Sequence, residues 1–213
     1  MMESGFYNMD CVVAMKEFPD KFFDIAIVDP PYGDGGKDIG GGKRFGQRFD
    51  RYKENGEDIT WDIAPDEDYF KELFRVSRDQ IIWGGNYFQL PPTRNFIVWR
   101  KLTISETFSM AMAEYAWCSI NGNAKVFECA PQGKTGEMRF HPTQKPIALY
   151  TWLLKQYAKP GMKILDTHVG SASSLIACHR AGLEYWGFEI DPTYYKAAKE
   201  RLDRETAQVR MNI

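Results

Sequence analysis

The chain reads as an α/β fold, a three-layer sandwich with a mostly parallel sheet between two sets of helices. Three observations carry that expectation. Residues 25–28 (Ile-Ala-Ile-Val) form an apolar run that stops on Asp29-Pro30-Pro31-Tyr32, as a central strand buried on both faces stops on breakers. Residues 162–191 read as a strand, a small-residue turn, a helix and a second strand. Between them, helical spacing alternates with short β-branched and aromatic runs.

Taken in order, Asn8-Met9-Asp10-Cys11 leads into a helical stretch with Val13, Met15 and Phe18, closed by Pro19-Asp20 ahead of the first apolar strand. Residues 66–76 space Tyr69, Phe70, Leu73, Phe74 and Val76 for a helix, with Asp66, Glu67 and Asp68 as its acidic start. Ile81-Ile82-Trp83 reads as a strand ending in Gly84-Gly85-Asn86-Tyr87-Phe88. Residues 96–99 and 114–120 read as an antiparallel pair at the sheet edge. Leu149, Tyr150, Leu153, Leu154 and Tyr157 share one helix face behind Pro146, which suits a first turn. A strand at 163–165, a turn at 170–174, a helix to Ala181 and a strand to Glu189 follow. A last helix from Pro192 turns Tyr195, Ala198 and Leu202 inward. With no repeat, low-complexity tract or linker, residues 1–213 form one domain with two inserted loops, 33–64 and 121–140.

Composition narrows the class. At 213 residues and 44% apolar the chain has enough material for a real core. No apolar run approaches a membrane span, and the start lacks a basic, apolar leader, so a cytoplasmic location is expected. Cys11, Cys118, Cys129 and Cys178 are widely separated, without C-x-x-C spacing, and the three histidines show no metal spacing. No metal site is expected. The triple glycine before Lys43-Arg44 lacks the flanking Gly and Ser/Thr of a nucleotide-phosphate loop.

The tetrapeptide at 29–32 carries the chemistry. Its prolines lack an N–H and fix φ, so they present carbonyl oxygens in set directions. A carboxylate, fixed carbonyls and a flat ring at a strand's carboxyl end suit a planar group bearing an N–H₂, where open α/β sheets bind ligands. The lone pair of an exocyclic base amine is delocalised into its ring, and acceptors for both hydrogens favour a tetrahedral, nucleophilic nitrogen. Tyr32 would stack through its ring on a base taken out of the duplex. A strand followed by a Pro-Pro turn would explain the tetrapeptide alone. The turn around Gly170, with an acidic residue closing the next strand, suits a ribose diol, but lacks the G-x-G-x-x-G spacing of hydride-transfer enzymes.

Asp-Pro-Pro-Tyr, the 162–191 block and His141-Pro142-Thr143-Gln144-Lys145-Pro146 together resemble the S-adenosylmethionine-dependent DNA amino-methyltransferases, from Asp10 to Leu202. With the catalytic strand first and the cofactor strand last, the order is similar to that family's permuted β arrangement. The resemblance implies a Rossmann-like methyltransferase fold and adenine-N6 methylation of DNA, with Asp29, Pro30, Pro31 and Tyr32 catalytic. It implies cofactor contacts from Asp10 (adenine amine), Cys11, Asp29, Thr143 and Lys145 (methionine carboxylate), Asp166, Thr167, His168, Gly170, Ser171, Glu189 (ribose) and Ile190. Thr167, His168 and Ala172 depart from the usual Pro, Phe and Gly. Cytosine-N4 methylation is the nearest alternative, although that group more often shows Ser in place of Asp29. A catalytically silent nucleic-acid-binding subunit is the alternative of another class. A solitary, phage-like enzyme or a restriction-modification partner, and a homodimer, fit by analogy.

DNA itself is the expected partner. The net charge of −2 is not that of a general nucleic-acid binder, but six cations against two anions between positions 36 and 53 leave a local excess of four positive charges. Phe45, Phe49 and Tyr52 interleave with them, so Lys43, Arg44 and Arg48 are candidate DNA contacts. A solvated loop would show the same charges.

Overall fold

The computed structural model describes residues 1–33, 63–107, 111–131, 140–141 and 143–207. Among these residues, eight strands and five α-helices run in the order β1 (Gly5–Asn8), α1 (Cys11–Lys16), β2 (Phe23–Val28), α2 (Glu67–Val76), β3 (Ser77–Trp83), β4 (Phe96–Lys101), β5 (Ala113–Cys118), β6 (Lys125–Cys129), α3 (Ile147–Tyr157), β7 (Lys163–Asp166), α4 (Ser173–Ala181), β8 (Glu184–Glu189) and α5 (Pro192–Ala207). A 3₁₀ turn, Gly85–Tyr87, follows β3.

Local chemistry sets the boundaries. Asp10 caps α1 by accepting from the Val13 N–H at 2.8 Å, and Asp66 caps α2 by accepting from Tyr69 at 3.0 Å. Glu67 and Asp68 complement the dipole at the start of α2. That helix runs without a loop into β3 at Ser77. Helix α4 ends on Gly182 at φ 67°, where Leu183 N–H donates to the Cys178 carbonyl at 3.1 Å and closes the last turn.

All eight strands form one sheet in the order β1-β8-β7-β2-β3-β5-β4-β6. The first five are parallel, β5 runs antiparallel to β3 and β4, and β6 pairs parallel with β4. The expected antiparallel pair is present, but it is not the edge, because β6 lies outside it. The 121–140 stretch, expected to be irregular, thus contains a strand. Sequence alone did not mark β1 either.

Alternate residues of β2 feed two cores. Ile25 and Ile27 pack with Leu149, Leu153, Leu175 and Ile176 of α3 and α4, while Ala26 and Val28 pack with Met15 of α1 and Leu73 of α2. Helices therefore cover both faces and complete the expected three layers. From β7 the chain passes through α4 to β8 on one side. From β2 it passes through α2 to β3 on the other. The strand order reverses between these neighbours, and their carboxyl ends flank the crevice at which such sheets bind ligands. No helix among the described residues is long and apolar enough to cross a membrane.

Candidate active site

Asp29 leaves β2 at one lip of the crevice and Asp166 closes β7 at the other. Asp29 does not stand alone. Its Oδ2 accepts from the Lys145 ammonium in a tight ion pair, and Lys145 also reaches Glu114 of β5 at 3.1 Å. Glu114 in turn pairs with Lys101 of β4 at 2.6 Å. The Lys145 side chain is 3% exposed, with its nitrogen 5.3 Å from the centre of the buried Trp83 ring. Burial raises the Asp29 carboxyl above its ordinary value, and Lys145 pulls it back. Burial works against the Lys145 charge, yet Asp29 and Glu114 outweigh it and hold the ammonium above its usual value. Glu114, flanked by two lysines, is held below the usual range despite burial.

Tyr32 completes this corner. Its hydroxyl donates to Asp29 Oδ1 at 3.1 Å, so the group expected to act only through its ring also fixes the carboxylate. Tyr87 stacks on that ring, with centroids 4.7 Å apart and planes at 27°, and Phe88 lies tilted at 6.2 Å. Gly84, at φ 65°, is where the ring approaches backbone: a Cβ there would overlap Tyr32. Of the three residues that follow Gly85, Tyr87 and Phe88 adjoin Tyr32. Asn86 is exposed.

Across the crevice the loop after β7 is held from several sides. Asp166 accepts from the His168 N–H at 3.0 Å and from the Ser174 hydroxyl, and burial pushes its carboxyl up to about 7. Burial pushes the His168 imidazole down to about 4, so the ring is neutral at pH 7. The Thr167 hydroxyl lies 2.7 Å from that of Tyr69 and 2.9 Å from His168 Nδ1. Glu189 accepts from the Gly170 N–H at 2.9 Å through one oxygen and from Asp191 N–H at 3.0 Å through the other. Met9 N–H and the Asn8 amide both donate to the Glu189 carbonyl, which ties the turn carrying Asp10 and Cys11 to the end of β8. The Cys11 thiol is buried and pushed up to about 12, so it is inert as a nucleophile. Ile190 is exposed.

Two supports were not expected from sequence. Arg201 of α5 is buried and donates to the Ser171 carbonyl at 2.7 Å and the Ser173 hydroxyl at 3.0 Å, propping the loop from beneath. His141 packs its ring on Tyr194 at 4.4 Å, and Thr143 Oγ1 lies 3.2 Å from its Nδ1. A Cβ on Gly170 would sit 3.4 Å from that imidazole.

The structure thus brings Asp10, Cys11, Asp166, Thr167, His168, Gly170, Ser171 and Glu189 to the carboxyl ends of β7, β8 and β1, with Asp29 and Tyr32 just past the end of the neighbouring β2. Lys145, expected at a cofactor carboxylate, pairs with Asp29 and Glu114 from the residue before the Pro146 cap of α3. Lys43, Arg44 and Arg48 lie outside the described residues.

A parallel sheet with a strand-turn-helix on one side of the order reversal and a proline-flanked carboxylate and aromatic ring on the other is a Rossmann-like α/β fold with its candidate site at the strands' carboxyl ends. Comparison narrows the class. Residues 115–200 match a family model described as DNA methylase, covering N6 and N4 enzymes. That segment runs from β5 into α5, including His141 to Lys145 and the loop after β7, but not Asp29. A candidate methylase of Escherichia coli K12, YubD, is 25% identical over 206 residues, 93% of this chain and 90% of its own length. The candidate DNA modification methylase TTHA0409 of Thermus thermophilus, solved with S-adenosyl-L-methionine, superposes with TM-score 0.60 at 18% identity, covering 96% of this chain and 95% of that one. PvuII DNA methyltransferase, cytosine-N4-specific, superposes with TM-score 0.61 at 12% identity over 97% and 92%. The chain is thus similar to the N6/N4 DNA methylases in sequence over residues 115–200 and in fold over nearly its whole length.

Proposed function

We propose that the chain methylates the exocyclic N6 of adenine in DNA, taking the methyl group from S-adenosylmethionine. The observation that carries this is the Asp29 carboxylate, fixed by Tyr32 and Lys145 at the carboxyl end of β2 beside the aromatic group of Tyr32, Tyr87 and Phe88. That cofactor supplies a methyl on a sulfonium, an electrophile whose leaving group is a neutral thioether. The donor set suits it. Each Glu189 oxygen accepts one backbone N–H and keeps a second lone-pair direction for a ribose hydroxyl. Gly170 at φ 54° carries no Cβ to obstruct a ligand at the turn.

In this reading Asp10 accepts from the cofactor's adenine amine, and Cys11, His168 and Ile190 wall that end. Asp166, Thr167, Gly170 and Ser171 lie along the methionine half, and Thr143 lies near its carboxylate. The target base leaves the duplex and stacks on Tyr32. Asp29 Oδ1 and the Pro30 carbonyl accept the two amine hydrogens, which frees the nitrogen lone pair and stabilises the positive charge as the N–C bond forms and the C–S bond breaks. One amine proton then leaves to solvent.

The carboxylate favours adenine-N6. Cytosine-N4 is the second reading, since the PvuII enzyme shares the fold. Single-molecule sequencing of DNA from cells expressing the chain should show N6-methyladenine at a fixed site. Asp29→Asn, which keeps the shape but loses the charge, should cut turnover on the order of 10²–10³-fold. N4-methylcytosine alone would reassign the base. Native turnover by Asp29→Asn would remove the carboxylate from the chemistry.

A further inference from the structure

An isolated carboxylate buried as Asp29 is would take up a proton and become a hydrogen-bond donor, useless to an amine that needs an acceptor for its hydrogens. The structure answers this with four alternating charges across four elements: Asp29 after β2, Lys145 before α3, Glu114 on β5 and Lys101 on β4. The chain of charges is formally neutral, and each lysine sits beside an indole: Lys145 by Trp83 at 5.3 Å and Lys101 by Trp99 at 5.2 Å. We propose that Lys145 and Glu114 are positioning residues for methyl transfer: Lys145 pins Asp29 Oδ2 so that Oδ1 faces the substrate amine, and Glu114, anchored by Lys101, cancels the charge of Lys145. The proposal rests on the methyltransferase reading above and reassigns Lys145 from cofactor to catalytic carboxylate.

The geometry supports each part. Oδ2 on Lys145 and Oδ1 on the Tyr32 hydroxyl together fix the plane of the carboxylate, and Oδ1 keeps one lone pair for an amine hydrogen. An ammonium has three hydrogens. Two of those on Lys145 serve Asp29 and Glu114, and a third side lies against the Trp83 indole. A bare ammonium beside the amine would oppose the positive charge that grows there. With Glu114 3.1 Å from it, that opposition is cancelled and the field of Asp29 reaches the nitrogen. The other titratable groups facing Asp29 are Tyr32 on its own turn, Asp166 from β7, Tyr69 from α2 and Tyr150 from α3. None of these supplies a cation, so Lys145 is the counter-ion among the described residues.

The test reads Asp29 directly, by carboxylate carbon-13 NMR titration of the ligand-free protein, together with the pH profile of kcat and calorimetric cofactor affinity. In Lys145→Met the Asp29 titration should rise by about 1–3 pH units, and the acid limb of kcat should move with it. Cofactor affinity should stay within roughly 2-fold, a difference well under 1 kcal/mol. Lys145→Arg should restore the wild-type Asp29 titration. Glu114→Gln, near in shape and hydrogen bonding, carries the test should Lys145→Met not fold: kcat should drop about 10-fold or more with cofactor affinity and KM retained, the pattern of an interaction made in the transition state. An unmoved Asp29 titration in Lys145→Met, with cofactor affinity down about 10-fold or more, would return Lys145 to the cofactor and overturn the proposal. Unchanged kcat in Glu114→Gln would do the same for Glu114. If wild type methylates no DNA while the Asp29 titration still moves as expected, the pinning stands and the substrate reading falls.

Discussion

Asp166 and His168 stand two residues apart and place opposite demands on pH. Burial favours the neutral form of each: Asp166 titrates at about 7 and His168 at about 4. A carboxyl raised above its unfolded value of about 3.9 adds stability that is complete below that value and is lost as pH rises toward 7. A depressed imidazole adds stability that is complete above about 6.5 and is lost as pH falls toward 4. Between these limits the two slopes oppose each other. Asp166→Asn removes the first and leaves the second. Urea denaturation from pH 4.5 to 7.5 should then show stability climbing with pH more steeply in the variant, by on the order of a few kcal/mol across the range. Parallel curves for wild type and variant would mean that Asp166 is ionised throughout.

At the scale of elements, Arg201 shows how a helix at the end of the chain serves a loop thirty positions earlier in sequence. It lies three residues past Ala198 and so faces inward with it, yet charge by itself marks such a residue for solvent. Its guanidinium caps the Ser171 carbonyl and Ser173 hydroxyl instead. Arg201→Met should keep the aliphatic packing but strand both acceptors, at about 1.5–3 kcal/mol of stability. Chemical denaturation would measure that loss, and calorimetry should show weaker S-adenosylmethionine binding. Unchanged values in both would make the arginine dispensable to the loop. The same logic explains what could be read beforehand. Asp29, Tyr32, Gly170 and Glu189 were legible because each closes or follows a strand within a short motif, where local pattern and ligand geometry coincide. Glu114, Lys101 and Gly84 were not, since they meet Asp29 and Tyr32 only through the pairing of β3, β4 and β5. Glu114 lies opposite Trp99 in that ladder. Strands β1 and β6, four and five residues long and at the two sheet edges, have too little apolar alternation to announce themselves. The ion pairs of Lys145 were not legible either, because its motif speaks only of the chain around it, whereas its partners come from β5 and the end of β2.

For the molecule as a whole, a net charge of −2 makes DNA affinity depend on where the cations gather. If Lys43, Arg44 and Arg48 meet phosphates, replacing all three with Ala should flatten the salt slope of log affinity by roughly 2 to 3, each contact contributing about 0.9. Cofactor affinity should hardly change. Fluorescence anisotropy across a salt series reads the slope, and equal slopes would move the DNA surface to the 121–140 region.

The strand order carries a consequence for how each molecule is made. β1 has one neighbour, β8, and Asn8 donates to a carbonyl 181 positions later in the chain. A ribosome adding about 5–20 residues per second needs roughly 10–35 s to cover that distance. β2 finds β3 early in synthesis, so the lip bearing Asp29 can take shape while the chain is still growing. The opposite lip waits for β7, α4 and β8, the last strand-turn-helix unit to emerge. A product that stalls before β8 therefore carries the carboxylate and ring without Glu189, and the turn at Asp10 gains the strand that holds it only as β8 is completed.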